Sequence, residues 1–535
     1  MGAAASAGAY GLLADPLALA KDRPIGPQGR RRGSDRSDGG GGPALVGEGS
    51  FNQGVASGQP SERGITLWTR LDEVRGNARL ELEVAKDADF AKVVHREQVI
   101  ARKRRDFTLH ARVSGKPLKP GQQYFYRFDT GEDSSPVGRF RTALPPDSNE
   151  PVRIGFFSCQ DYESGFYTAH AGLADEADLD LVVCLGDYIY ERSFDDNKRR
   201  EDKTGANGDG EVMLLAEYRD KYNLYQSDPD LIRMRQSHPF IQIFDDHEVE
   251  DNWARDMPGE ASSDVRIPFL ARRRNGFRAF YEHLPRIRNA ADRNRIFGRM
   301  RLGANADIFL LDTRSFRDDQ PCGDMPGAPC PPEERNDPNR TLLGPDQKQW
   351  LLRGLERSRA TWKVIGTQIM IMALDAPAGN PLNPDQWDGY GAERRELLEF
   401  VGSRGIQDVT FVTGDIHTFF AGNVTPDGRE QRVGGEAAVA TEFVGGSITS
   451  KGIADSLPTG VDLAAIVGDD VVVEQNNPHI KFSNQSRKGY GVLEARPDEL
   501  LVSYRVPQTV MQQQSSISTL QSFRVERGSP DVQLV

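Results

Sequence analysis

From residue 151 onward, short apolar runs alternate with stretches of helical period, and this alternation confines the chain to an α/β fold. The runs are "VRIGFFS", "LDLVVCLG", "FIQIFD", "DIFLLD", "WKVIGTQIMI" and "DVTFVTG". Between them stand "FYTAHAGLADEA", "IPFLARRRNGFRAFYEHL", "PDQKQWLLRGLERSRA" and "AERRELLEFVGS". The third of these has Pro345 in its first turn and Trp350, Leu351 and Leu355 on one side, as a helix laid on a sheet requires. The pattern predicts a large open sheet covered by helices, with ligands gathered at the carboxyl ends of its strands.

What ends these runs is polar. The first stops at Cys159, and "LVVCLGDYIYE" (181–191) delivers Asp187, Tyr188, Tyr190 and Glu191. The third ends in "DDHE", which is Asp245, Asp246, His247 and Glu248. The "WKVIGTQ" run ends near Gln368, and the last ends in "DIH", with Asp415 and His417. Singly, each has an ordinary reading: a turn or helix cap for Gly-Asp, a salt-bridged corner for DDHE, a core thiol for Cys159. Together they place donors at five strand ends, and most are hard oxygens. A carboxylate can bridge two cations about 3.5–4 Å apart, the spacing of two-metal hydrolysis. A phenolate and a thiolate suit a strongly Lewis-acidic ion such as ferric iron. Asp, Gln and water suit calcium or manganese. Of eight histidines only His247 and His417 fall in these motifs, which argues against a His-rich di-zinc centre.

Charge narrows the partners. The 535 residues carry a net charge of −12, which disfavours nucleic acid and obliges any phosphate-handling site to bring its own positive charge. No apolar run approaches the roughly 20 residues of a membrane span. Residues 1–20, "MGAAASAGAYGLLADPLALA", have the apolar and small-residue parts of a secretory signal, with Ala18 and Ala20 suiting a signal peptidase, but no basic segment before them. The expectation is a truncated remnant of an export signal of the twin-arginine (Tat) type; the plain alternative is a disordered Ala/Gly tail. Residues 21–48 read as a disordered tether. Cys322 and Cys330 bracket "GDMPGAP" and suit a local disulfide of an oxidising compartment, whereas Cys184 reads as packing. The charged stretch 194–211 is expected to be a mobile surface loop.

Residues 49–147 have an all-β texture: "GITLWTRL", "ARLELEVA", "FTLHARV" and "QYFYRFDT" are short, aromatic and β-branched. "LKPGQQYFYRF" resembles the corner of a fibronectin-type-III-like sandwich, and "ALPPDSNEP" marks a boundary before a catalytic domain at 151–535.

The motifs also carry a family resemblance. "GDYIY" matches the Gly-Asp-x-x-Tyr of purple acid phosphatases, while "DDHE" and "GDIH" stand where calcineurin-like metallophosphoesterases have Gly-Asn-His-Glu and Gly-His-x-His. The spelling "SCQDYE", "GDYIYE", "FDDHEVEDNWA" and "TGDIHT" closely resembles PhoD-type alkaline phosphatases. So do "GVASGQPSERGITLWTRL", "LLDTRSFRDDQPCGD" and "NPHIKFSNQSRKGYGV". The resemblance implies a four-layer αββα sandwich behind a small β-sandwich. It implies metal ligation by Cys159, Asp187 (bridging), Tyr190, Asp246, Gln368, Asp415 and His417, with His247 meeting phosphate and protonating the leaving oxygen. The implied metals are Fe(3+) and Ca(2+), with Mn(2+) or Zn(2+) as substitutes. The implied reaction is attack of a metal-bound hydroxide on phosphorus in small phosphate monoesters and diesters, by an exported, monomeric, phosphate-scavenging enzyme. Arg314 is expected either to clamp phosphate or to sit in an ion pair. The rival readings are a phosphodiesterase or phospholipase D-like enzyme on the same scaffold, and a non-catalytic, calcium-stabilised exported binding module.

Overall fold

The computed structural model describes residues 45–535 apart from 195–197, 260–264, 290, 291, 293, 324–328, 377–379, 428–436 and 456–467. The expected export remnant (1–20) and most of the tether lie outside the described residues. The last part of that tether is bonded to the sandwich, with Val46 N donating to Arg79 O at 3.0 Å and Gly47 N to Thr130 O at 2.8 Å.

The front module is a seven-stranded sandwich. Val55–Ser61, Gly64–Arg70 and Thr108–Ser114 form one sheet; Val93–Ala101, Ala78–Ala85, Gln123–Asp129 and Gly138–Arg141 form the other. Alternating residues such as Leu80, Leu82, Val84, Tyr124, Tyr126 and Phe128 fill the space between them. The Pro-Gly corner behaves as its sequence suggests: the Tyr124 hydroxyl accepts from Lys119 N at 2.9 Å, a tyrosine corner.

Behind it the periodic segment builds two sheets where the strand pattern alone suggested one. The first runs Phe240–Gln242, Leu181–Cys184, Val152–Phe157, Tyr490–Ala495, Glu499–Pro507, Ile517–Glu526 and Gln533–Leu534. The second runs Gly298–Leu302, Ala306–Leu310, Trp362–Gly366, Val409–Thr413, Ala440–Gly445, Phe419–Val424 and Ile480–Asn484. The reason lies in the C-terminal hairpins. Tyr490–Ala495 pairs antiparallel with Val152–Phe157 and so occupies the edge that a single continuous sheet would need. Ile154, Phe156 and Val182 of the first sheet share one core with Ile308, Val364 and Phe443 of the second. Phe156 is the wedge: a Cβ on Gly491 would lie 2.1 Å from its ring, and one on Gly445 3.2 Å from it.

Helices cover both outer faces. Thr168–Asp175 lies over Gly155 through Leu173. Gly344–Arg357 and Gly391–Ser403 bury Leu351, Leu355, Leu397, Leu398 and Val401 against Phe309, Ile365 and Phe411. The result is the four-layer αββα sandwich. Two helices that the sequence pattern did not mark, Leu215–Tyr225 and Pro229–Ser237, add to it. The second begins with Pro229 and is capped by Asp228, which accepts from Asp230 N and Leu231 N at 3.0 and 3.2 Å.

The stretch 198–211 is stitched down and not loosely attached as expected. Arg199 N donates to Glu163 O at 2.7 Å, Arg200 pairs with Asp228 at 2.7 Å, and buried Lys221 pairs with Asp202. Cys322 and Cys330 form the expected disulfide, and Cys184 is a buried free thiol. Among the described residues no helix is long and apolar enough to cross a membrane.

Candidate metal centre

Four strands deliver the site. The carboxyl ends of Val152–Phe157, Leu181–Cys184 and Phe240–Gln242 in the first sheet, and of Val409–Thr413 in the second, lead into one cluster. The chain reverses there in left-handed backbone: φ is 59° at Cys159, 53° at Asp187, 65° at Asp415 and 58° at His417. Such a conformation costs a side-chain-bearing residue on the order of 1 kcal/mol or more and concentrates at functional sites. Gly186 (φ 123°) allows two loops to touch, since a Cβ there would lie 2.5 Å from Cβ of Asp245.

Donor atoms meet in three overlapping groups, each with its atoms within 4.8 Å of one another: Cys159, Asp187 and His417; Asp187, Asp246 and His247; Asp187, Asp245, Asp246 and Asp415. Asp187 belongs to all three. Tyr190 joins the first group, with its hydroxyl 3.2 Å from Asp187 Oδ2 and 3.1 Å from His417 Nε2. Ser450 Oγ donates to the same phenol oxygen at 2.7 Å, leaving it free of backbone partners.

Both histidines are oriented by their other nitrogen. His417 Nδ1 lies 2.5 Å from Lys451 O, and a carbonyl only accepts, so the proton sits on Nδ1 and the Nε2 lone pair faces the cluster. Burial, reinforced by Lys488, pushes this imidazole down to about 3, so it is neutral. His247 Nδ1 donates to Glu191 Oε2 at 2.8 Å, which leaves its other nitrogen for the Asp187–Asp246 side. Burial alone would lower its pKa, but Asp246, Asp187 and Glu191 outweigh it and hold the ring well above the ordinary histidine value. Tyr190 stacks on it at 4.2 Å, and Phe194 closes its edge at 4.8 Å.

Scaffolding residues hold the loops. Glu248 accepts from the backbone N of Tyr188 (2.6 Å), Asp245 (2.7 Å) and Asp187 (3.2 Å), tying two strand ends together. Arg314 is fully buried and forms an ion-pair hub. Its guanidinium donates to both Asp385 oxygens at 2.9 Å and to Asp245, so it is committed to carboxylates and not to substrate. Gln368 is the residue that the structure does not bring in as expected. Its amide NH2 donates to Phe244 O (2.6 Å) and Leu311 O (3.1 Å), and its oxygen accepts from Thr313 Oγ1 (2.9 Å). It is a strut between strand ends.

The cluster fits cations. Oδ1 of Asp187 is buried and accepts no hydrogen bond, which for a carboxylate is costly unless a cation is its partner; Oδ1 of Asp246 accepts none either and faces the Arg314 guanidinium at 3.5 Å. Burial and neighbouring carboxylates push Cys159 and Asp187 well above their ordinary values, and Asp415 up to about 6. Anionic forms of all three require more positive charge than Arg314 supplies.

The sequence profile of the PhoD-like phosphatases matches residues 154–504, and that of the PhoD-like phosphatase N-terminal domain matches residues 40–144. The chain belongs to the PhoD-like phosphatase family. Alkaline phosphatase D of Bacillus subtilis (strain 168) is 35% identical over 500 residues, covering 91% of this chain and 82% of that protein. A solved structure of PhoD superposes with a TM-score of 0.79 at 33% identity, over 91% of this chain and 92% of that one. A purple acid phosphatase from yellow lupin (Lupinus luteus) seeds shares the fold, with a TM-score of 0.53 at 13% identity over 89% and 74% of the two chains. This PhoD-like phosphatase is therefore an enzyme built on the metallophosphoesterase scaffold.

Sequence reading gave no role to several residues around the centre. Glu191 and Glu248 stand inside the quoted motifs, and their acidity next to the candidate ligands was the available signal. Ser450, Asp385 and Gln386, which donates to Asp415, come from loops with no local pattern to mark them.

Proposed function

We propose that this phosphatase hydrolyses small phosphate monoesters, and diesters on the same centre, with ferric iron at Cys159, Asp187, Tyr190 and His417 and calcium at Asp187, Asp246 and Asp415. The observation that carries the reading is the membership of Asp187 in all three donor groups, as a bridging carboxylate requires. The thiol and phenol on one side suit the more Lewis-acidic ion, and the all-carboxylate side suits a hard oxygen-seeking one. Bound there, the cations supply the positive charge that the acidic chain lacks and acidify a water.

The chain's own residues do the rest. His247, protonated and held through Nδ1 by Glu191, carries a proton at its outward nitrogen for the departing ester oxygen. The Tyr190 and Phe194 rings fix its plane and shield it from water. Export is part of the proposal, supported by the Cys322–Cys330 disulfide and by the leader-like residues 1–20.

Metal analysis of the purified protein, with p-nitrophenyl phosphate assayed against its bis-ester, tests the reading. Iron and calcium should co-purify, and Asp187→Asn should lose both metals and activity on both esters. Full activity in Asp187→Asn would overturn it.

A further inference from the structure

One loop serves the thiol, phenol and imidazole side of the metal centre. After the strand Ala440–Gly445 the chain folds back over Cys159. The Cys159 carbonyl accepts from the backbone N of Ile448 at 3.2 Å and from those of Thr449 and Ser450 at 3.4 Å. The same loop then reaches two more donors. The Ser450 hydroxyl meets the Tyr190 oxygen at 2.7 Å, and the Lys451 carbonyl accepts from Nδ1 of His417 at 2.5 Å. Cys159, Tyr190 and His417 follow three different strands, yet one run of consecutive residues touches them all. The loop is itself tied down from the C-terminal side. Gly489 N donates to Ser447 O at 2.8 Å, and buried Lys488 pairs at 2.8 Å with Asp455, which also accepts from Gly452 N at 2.7 Å.

Within this loop Ser450 is oriented for one task. Its oxygen accepts from Asp161 N at 3.1 Å, and a backbone N–H only donates, so the hydroxyl proton is left for Tyr190. The other polar neighbours of the phenol oxygen are Asp187 Oδ2 at 3.2 Å and His417 Nε2 at 3.1 Å, a carboxylate oxygen and a lone pair, and both accept. Ser450 is therefore the donor of the three, and at 2% exposure it has no bulk water to stand in for it. A hydrogen bond donated to a metal-bound oxygen draws electron density from that oxygen and weakens its donation to the ion.

We propose that Ser450 is a positioning residue of the centre, which fixes the Tyr190 oxygen and tunes its donation to the iron through this hydrogen bond. The proposal rests on iron standing at Cys159, Tyr190 and His417.

Visible absorption of the iron-loaded protein, recorded per bound iron, tests it, with Tyr190→Phe identifying the phenolate-to-iron charge-transfer band. Ser450→Ala should move that band to longer wavelength, because a phenolate stripped of its hydrogen bond donates more readily, and should lower the reduction potential of the iron. Thr449→Val deletes the neighbouring buried hydroxyl, which donates to Asp161 O at 2.6 Å, and should leave the band at its wild-type position. A band unmoved in Ser450→Ala, or moved alike in both variants, would overturn the proposal while leaving the iron assignment in place. A wild type that binds no iron, or whose spectrum Tyr190→Phe leaves unchanged, would overturn the iron assignment and the proposal with it. Ser450→Gly removes the same hydroxyl and provides the same comparison should Ser450→Ala fail to fold.

Discussion

Oε2 of Glu191 lies 2.8 Å from Nδ1 of His247, and Oε1 of the same carboxylate accepts the backbone N–H of Asp251 at 3.0 Å. Glu191 thereby holds the imidazole by its far nitrogen and locks the loop that follows DDHE in the same grip. Burial opposes charge on this carboxylate, but His247 and Arg192 outweigh it and bring its pKa down to about 2, so it stays ionised.

Replacing it tests the role of the pair. Glu191→Gln should lower kcat about ten- to a hundred-fold, the usual effect of losing an orienting carboxylate, with metal content retained. Steady-state kinetics beside metal analysis separate the two effects; loss of metal in step with activity would assign Glu191 to the cluster instead.

In the proposed centre Cys159 is the one thiolate beside oxygen and imidazole donors. Cys159→Ser should lower iron content while leaving calcium closer to wild type, because an alcohol does not replace a thiolate. Chelator treatment of the wild type should lower its melting temperature, since ions that bind only the folded chain stabilise it by mass action. Elemental analysis and a melting curve read both; an unchanged melting temperature after metal removal would count against a preformed cluster.

Arg314 is buried with four carboxylates within salt-bridge distance: Asp245, Asp246, Asp385 and Asp415. Arg314→Ala should destabilise the protein by about 3–5 kcal/mol, as removal of one partner from a buried ion pair does. Urea denaturation measures it; a folded, near-wild-type variant with raised KM alone would revive the phosphate-clamp reading.

Gly491 faces the Phe156 ring so closely that a Cβ has no room. Gly491→Ala should cost about 1–3 kcal/mol through overpacking between the sheets. Pairing it with Phe156→Leu should recover part of the loss in the same denaturation assay, and failure of that rescue would point to backbone strain.

Glu83 in the sandwich gives a pH-dependent prediction free of the metal centre. Burial disfavours its charge, but Arg96 and Arg127 outweigh burial and hold its pKa below the ordinary value. A glutamate in an unfolded chain titrates near about 4.3. The stabilisation is therefore complete above that pH and is lost as pH falls through the lower folded value. Glu83→Gln should melt below wild type at neutral pH, and the gap should close under about pH 4. A gap that persists in strong acid would mean that packing, not charge, is lost.

Much of this architecture was readable from local pattern. The strands at 64–70, 78–85, 108–114 and 123–129 and the helices at 269–283, 344–357 and 391–403 lie where periodicity and turn residues put them. The donor residues that meet in the cluster were readable too, because strand-terminal Asp, Cys and His carry their signal within a few residues. Gln368 shows the limit of that method. Its place after a strand suggested a ligand, but three hydrogen bonds to neighbouring strand ends make it a strut.

By itself, the sequence determined the α/β class, the front sandwich and the donor types, since each depends on short-range periodicity or on residue chemistry. Only the tertiary structure decided which strands go to which of the two sheets, because the hairpin at 490–507 claims the edge of Val152–Phe157 through pairings more than 300 residues apart. Packing of the two sheets on one core brings Asp415 and His417 from one against Cys159 and Asp187 from the other. Neighbours so distant along the chain leave no local mark on it, and there Asp187 becomes the carboxylate that every donor group shares.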